Sequence, residues 1–307
     1  MNKSRLLNVS KKFFGVLRNS TFAQHQESSL KSRQKELMAR GLPKKKPING
    51  VKHIVLVSSG KGGVGKSTTA VNLSIGLKLI QPEKKIGLLD ADIFGPTVPL
   101  MMNLHDTPFL TDKDLMEPLV NYGVKCMSFG FLIDEDAPVI WRGLMVMQAL
   151  EKLMRHVEWG DIDYLIVDTP PGTGDTHLSL VQNLPISGVV LVTSPQTAAL
   201  QVTKRGAVMY NRLKIPLIGL VENMCSVVCP SCSNNIRVFG DGTRKLAEDL
   251  NIDILESFPL NSDIADGGDK GVPIVLDEGN RQSGLYRNVA QKVVEYLKDI
   301  ETEQAVK

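Results

Sequence analysis

Two short stretches of this chain carry side chains that could do chemistry, and they lie far apart in the sequence. The first is Gly60-Lys61-Gly62-Gly63-Val64-Gly65-Lys66-Ser67, followed by Thr68. It satisfies the pattern G-x-x-x-x-G-K-[ST], comes after the β-branched run Ile54–Ser58 and opens a segment with helical periodicity, Ser67–Leu79. Glycines there allow backbone angles at which successive N–H groups turn inward onto phosphate oxygens. The helix start adds a partial positive charge. Lys66 can then reach the β and γ phosphates, while Ser67 offers its hydroxyl to Mg²⁺. The second stretch is Cys229-Pro230-Ser231-Cys232, with Cys225 just before it. C-x-x-C spacing lets two thiolates face one metal, and Pro230 stiffens the turn. A tetrahedral metal or a [4Fe–4S] cluster takes four ligands, yet the chain has no second C-x-x-C. Two chains about a two-fold axis would supply two cysteines each. Structural zinc, a redox pair and two inert thiols fit the same spacing and stay open.

Two acidic sites accompany the glycine-rich loop. Asp90 and Asp92 follow the apolar run Lys85–Leu89, and Asp168 follows Tyr164–Val167. A carboxylate at a strand end can hold Mg²⁺ through water or orient an attacking water. Pro170–Gly174 has the composition of a switch that senses a γ-phosphate through backbone N–H groups.

These residues need elements to position them. Short apolar runs at Ile54–Ser58, Lys85–Leu89, Val124–Phe129, Tyr164–Val167, Gly188–Thr193, Leu217–Val221 and Ile254–Phe258 predict strands. Helix-length segments lie between them at Met145–Val157, Thr176–Gln182, Ala198–Leu213 and Arg244–Leu250. Nearly unbroken apolar strands separated by helices predict an α/β fold, a doubly wound and mostly parallel sheet covered on both faces. Ligands of such sheets sit at the C-terminal ends of strands, which is where the acids and the loop fall. The tail Leu285–Ile300 has apolar residues at helical spacing together with acids, and reads as a core-packing helix. Cys126 lies inside an apolar run and reads as a buried small hydrophobe. The histidines at 25, 53, 105, 156 and 177 show no triad or metal spacing.

Composition separates a leader from a body. Of 307 residues, 36 are Lys or Arg and 33 are Asp or Glu, a net charge of +3. Residues 1–50 hold 12 basic residues against Glu27 and Glu36, a net +10; the remaining 24 basic and 31 acidic residues give the body −7. The body therefore gives no support to nucleic-acid binding. Residues 1–24 contain no acid, and Leu6, Val9, Phe13, Phe14, Val16 and Leu17 share one helical face opposite basic residues. This is the pattern of a mitochondrial transit peptide. Residues 1–50 are thus expected to be a transit peptide and basic linker, and 51–307 one nucleotide-binding domain. No apolar run is long enough to span a membrane, and four cysteines exclude a disulfide-dense scaffold.

The loop form G-K-G-G-x-G-K-S, with its second lysine, resembles the deviant Walker A motif of the dimeric ATPases that include the nitrogenase iron protein and the ParA/MinD group. That resemblance implies a P-loop NTPase in which Lys61 crosses to the partner's nucleotide. It places Asp168 at the Walker B position, Asp92 at the attacking water and Asp90 in support of Mg²⁺. It sets Asn223, in Glu222-Asn223-Met224, against the adenine edge, and no N-K-x-D guanine-reading sequence appears. Asp90-Ala-Asp92-Ile-Phe-Gly-Pro-Thr, Trp141-Arg-Gly143, Asp168–Asp175, Val192-Thr-Ser-Pro-Gln196 and Glu222-Asn-Met joined to Cys229-Pro-Ser-Cys232 extend the likeness over residues 50–280. Together they resemble the Mrp/NBP35 group of iron–sulfur cluster carrier ATPases. The resemblance implies a homodimer that binds Mg-ATP, hydrolyses it weakly and holds a labile [4Fe–4S] cluster between Cys229 and Cys232 of two chains. With the basic leader it implies the mitochondrial branch, which serves assembly of respiratory complex I. Recipient apoproteins in the matrix, complex I subunits, are then the expected partners, with a weak inner-membrane association. Leu144, where the group has Pro, and the extra thiol Cys225 depart from the pattern. A ParA/MinD-type positioning ATPase and a zinc-bridged dimeric ATPase are the alternatives.

Overall fold

A strand buried along its whole length must be covered on both faces, and β1 (Val51–Ser59) is buried from His53 onward. The computed structural model describes residues 45–133, 143–229 and 231–305, and one compact unit begins at Lys46. β2 (Ile86–Asp90) and β6 (Gly188–Thr193) are buried at every residue, and β5 (Ile162–Asp168) at all but Asp163. With β3 (Leu119–Asn121), β4 (Val124–Ser128), β7 (Leu217–Glu222) and β10 (Ile254–Ser257) they form one eight-stranded sheet, ordered β10-β7-β6-β1-β5-β2-β4-β3. Every pairing is parallel except that of the edge strand β3 with β4. The chain moves from central β1 toward β3, returns to β5 beside β1, then fills the other side. The C-terminal ends of β1 and β5 therefore meet mid-sheet, where such folds bind ligands.

The covering helices are α1 (Lys66–Ile80), α2 (Val98–Met101), α3 (Gly143–Arg155), α4 (Asp175–Asn183), α5 (Thr197–Arg212), α6 (Gly242–Leu250), α7 (Ser262–Asp269) and α8 (Arg281–Ala305). α1 packs against α8, α3 against α4 and α5 against α6. α1 is buried over most of its circumference, so its sequence reads as broadly apolar rather than as one stripe. A Cβ at Gly76 would lie 3.3 Å from that of Ala290, which shows how closely α1 and α8 approach. α8 buries Tyr286, Val289, Ala290, Val293, Val294 and Leu297, as a core-packing helix should. His53 Nε2 meets Glu301 Oε1 at 2.9 Å and fastens the far end of α8 to β1. Cys126 is fully buried in β4.

The strands and long helices expected from periodicity are present, with ends shifted by a few residues. Five short elements carry no periodic signal: α2, α7, β3 and the two-residue strands β8 (Val227–Val228) and β9 (Asn235–Ile236), the last two forming a separate hairpin. The transit-peptide segment, Trp141 and Arg142 lie outside the described residues. No helix among the described residues is long and apolar enough to cross a membrane.

Candidate nucleotide and thiol sites

The loop after β1 is shaped by glycines, some at positive φ and some where a side chain would clash. Gly63 and Gly65 have φ of +75° and +89°, a left-handed conformation that costs an L-residue about 1 kcal/mol or more. Gly65 caps α1, and its carbonyl accepts from the backbone N–H and the hydroxyl of Thr69. A Cβ at Gly60 would lie 2.5 Å from the Thr203 nitrogen, so only glycine lets the loop rest on α5. A Cβ at Gly62 or Gly63 would meet nothing within 4 Å, so this side of the loop is open. Ser67 and Thr68 are half-buried at the start of α1.

Lys66 is buried and points into the acids. Its Nζ donates to Asp168 Oδ1 at 2.6 Å and lies 3.6 Å from Asp92 Oδ2. Asp168 is fully buried; its Oδ2 has no hydrogen-bond partner among the described residues. An ionised carboxylate oxygen left bare in the interior is costly unless something binds it. With the Ser67 hydroxyl 3.3 Å from Lys66 Nζ, the donor set is all oxygen and suits Mg²⁺. Asp92 is raised above the usual carboxylate range by burial, which Lys66 opposes.

Asp90, the expected Mg²⁺ support, is held by protein contacts. It is register-paired with Asp168 across β2 and β5 but is fully buried and already engaged. Ser128 Oγ donates to its Oδ2 at 2.9 Å, and the N–H groups of Val98 and Asp92 donate at 3.4 and 3.1 Å. Burial first, then the neighbouring Asp168 charge, push its carboxyl up to about 7. Asp90 thus joins β2 to β4 and to α2.

Lys61 is exposed, and its Nζ donates to Gln196 Oε1 at 3.1 Å just before α5. Asn223, the expected adenine contact, is held by the chain itself. Its Nδ2 donates to the Val64 carbonyl at 2.8 Å, and its Oδ1 accepts from the Met224 N–H at 3.0 Å. The amide meant for a base edge here braces the phosphate loop.

The switch segment is tied back by Gly172 N–H to the Ser59 carbonyl at 2.9 Å and Thr169 Oγ1 to the Val57 carbonyl at 3.0 Å. His177, read from sequence as ordinary, is buried beneath it. Its Nδ1 lies 3.3 Å from the Pro170 carbonyl, and its Nε2 meets the Tyr210 hydroxyl. A carbonyl only accepts, so Nδ1 carries the proton and Nε2 accepts from Tyr210. Burial lowers its pKa to about 4, so it is neutral under ordinary conditions. Sequence offered no spacing signal for His177, Tyr210, Ser128 or Gln196, because each reaches its partner through the fold.

The thiols occupy the β8–β9 hairpin. Cys229 N–H donates to the Asn234 carbonyl and Ser233 N–H to the Cys229 carbonyl, both at 2.9 Å. Ser233 turns the chain with φ +56°. Cys229 is half-buried and Cys232 exposed, while Cys225 is buried off the hairpin. The backbone N–H groups of Cys232 and then Ser231 lower the Cys229 thiol pKa by favouring its thiolate. Val228, Ile236, Val238, Phe239 and Leu260, on or near this hairpin, expose about half of their surface. Among the described residues no three His, Cys, Asp or Glu side chains converge on one point.

The phosphate loop follows β1 of the large sheet, and the thiols lie on the separate β8–β9 hairpin. Residues 50–294 match the family described as ParA, NUBPL iron-transfer P-loop NTPase. The chain belongs to this family. It is 50% identical over 275 residues to the mouse iron–sulfur cluster transfer protein NUBPL, covering 89% of this chain and 86% of that protein. It is 49% identical over 255 residues to the Arabidopsis thaliana iron–sulfur protein required for NADH dehydrogenase, mitochondrial, covering 82% and 81%. Among solved structures, the nucleotide-binding protein from Archaeoglobus fulgidus in complex with ADP is 33% identical with a TM-score of 0.64, covering 73% of this chain and 88% of that one. The cell division ATPase MinD of Pyrococcus furiosus, 17% identical with a TM-score of 0.57, shares the fold. Membership in this NTPase family gives the P-loop reading of Gly60–Ser67 its footing.

Proposed function

We propose that this chain is an ATP-dependent carrier of [4Fe–4S] clusters that acts as a homodimer in the mitochondrial matrix. It delivers clusters to apoproteins, subunits of respiratory complex I among them, with weak association to the inner membrane. Residues 1–50 act as transit peptide and linker, and 51–307 as the working ATPase domain. The observation that carries this reading is the hairpin that turns Cys229 toward its thiolate in a chain of the iron-transfer family. Two thiolates are half of a cluster's ligands, and a second copy supplies the rest. The exposed apolar side chains around the hairpin suit burial against that copy.

In the nucleotide site the chain's own residues divide the work. Loop N–H groups hold the phosphates, and Lys66 leaves Asp168 for the β and γ oxygens. Ser67 and Asp168 would hold Mg²⁺, which would neutralise phosphate charge. Asp92 orients the attacking water. Lys61 releases Gln196 and reaches the partner's nucleotide, where its charge favours transfer of the γ-phosphoryl group to water. Hydrolysis is weak, because a carrier uses the nucleotide to time release rather than to turn over substrate. Transfer tests the reading: anaerobically loaded protein should restore the 4Fe–4S absorption of an apo-ferredoxin, faster with Mg-ATP. Cluster that stays with the carrier under both conditions would defeat it.

A further inference from the structure

The Asn223 carboxamide is used at both ends. Its Nδ2 holds the Val64 carbonyl of the phosphate loop at 2.8 Å, and its Oδ1 holds the Met224 N–H at 3.0 Å. The approach to the loop is so close that a Cβ at Gly65 would lie 2.1 Å from Nδ2. Met224 has φ +55°, a left-handed conformation that is uncommon for a residue with a side chain. The Oδ1 bond supports that bend. One side chain therefore touches the nucleotide loop and sets the direction in which the chain leaves β7.

Beyond the bend, the path to the thiols is clamped. Asn223 N–H donates to the Thr193 carbonyl at 2.7 Å, and Cys225 N–H to the Phe258 carbonyl at 2.9 Å. Leu260 N–H donates to the Ser226 carbonyl at 2.8 Å, and Val227 bridges Leu260. Val227 is already the first residue of β8, and Cys229 comes directly after its end. Residues 223–228 are thus hydrogen-bonded along their length rather than a slack linker, so a rotation at Asn223 is not absorbed before the hairpin.

We propose that Asn223 is the positioning residue that couples the phosphate loop to the cysteine hairpin. Nucleotide that reshapes the loop at Val64–Gly65 alters the Asn223 bonds, shifts the Met224 bend and changes the accessibility of Cys229 and Cys232. By linkage, whatever binds the two thiols changes nucleotide affinity by the same factor. This deepens the carrier reading and rests on it only for its biological purpose, since the coupling exists in protein that holds no cluster.

The test uses cluster-free full-length protein and iodoacetamide. Alkylation rates of Cys229 and Cys232 are read by peptide mass spectrometry with no nucleotide and with saturating Mg-ATP. Saturation is verified for each variant with a fluorescent analogue. In wild type, nucleotide should change the rate of at least one of the two thiols by about fivefold or more, the lower end of ordinary couplings. Asn223→Ala, when saturated, should show a change of less than about twofold. Met224→Gly, which keeps the carboxamide but frees the bend, should also weaken the effect, and it decides the matter if Asn223→Ala does not fold. An unchanged rate in wild type, or a full nucleotide effect in both variants, overturns the coupling. Failure of the carrier reading would show instead as no cluster on reconstitution, a separate observation.

Discussion

Lys66 and Asp168, 102 residues apart in sequence, form a buried ion pair at 2.6 Å where the central strands end. The lysine that seeks phosphate and the carboxylate that suits a divalent cation neutralise each other, while Asp168 Oδ2 stays without a partner among the described residues. The pair is held in the interior because neither charge can be hydrated there. In the proposed site, nucleotide with its metal would offer each partner a replacement, and binding would exchange this contact for two others.

Removing one partner of this pair should cost more than removing both. Lys66→Ala leaves Asp168 buried and uncompensated, and should lower unfolding free energy by about 3–5 kcal/mol. Adding Asp168→Asn should recover most of that loss. Urea denaturation of the three proteins without nucleotide or metal measures it; equal losses in the single and double variants would contradict the assignment.

Asp90 should make the metal-free protein less stable as pH rises. Its folded pKa of about 7 exceeds the unfolded carboxylate value near 4, so between them the native state binds more protons. The stability it contributes is complete below the unfolded value and is lost as pH rises through about 7. Asp90→Asn should remove up to about 1 kcal/mol per pH unit of this downward slope. Denaturation in EDTA from about pH 4.5 to 8 checks it, and identical slopes would refute it.

The Cys229 thiol should react at unusually low pH. Backbone N–H groups favour its thiolate, so its iodoacetamide rate should reach half-maximum below the free-cysteine value of about 8.5. A midpoint at or above that value would show that the hairpin does not stabilise the thiolate.

Lys61 should matter for hydrolysis and little for binding. It is exposed and, among the described residues, held by Gln196, so Lys61→Ala should change nucleotide affinity by less than about threefold yet reduce hydrolysis by about tenfold or more. If it acts across a dimer, mixing Lys61→Ala with Lys66→Ala chains should restore part of the rate. No restoration would place its action within one chain.

The parts of the site set by local sequence were readable in advance. The loop Gly60–Ser67 declares itself because glycine angles, lysine and hydroxyl must be contiguous, and Asp90 and Asp168 mark strand ends because apolar runs stop there. The β8–β9 hairpin was invisible because two-residue strands have no period. The partners of Asp90 and Asn223 were not legible either. Ser128 and Val64 meet them only after β4 and β7 take their places in the sheet, and no spacing records that. The roles expected of Asp90 and Asn223 are what the family resemblance implies, and a resemblance does not record which protein atoms their side chains meet.

The most direct test of the carrier account is anaerobic reconstitution, then Mössbauer spectroscopy with iron, sulfide and zinc analysis on the sized dimer. The account predicts a [4Fe–4S] spectrum with about two irons and two sulfides per chain, lost in the Cys229→Ala, Cys232→Ala variant. A spectrum retained in that variant, or a dimer that takes up zinc and no iron, would contradict it.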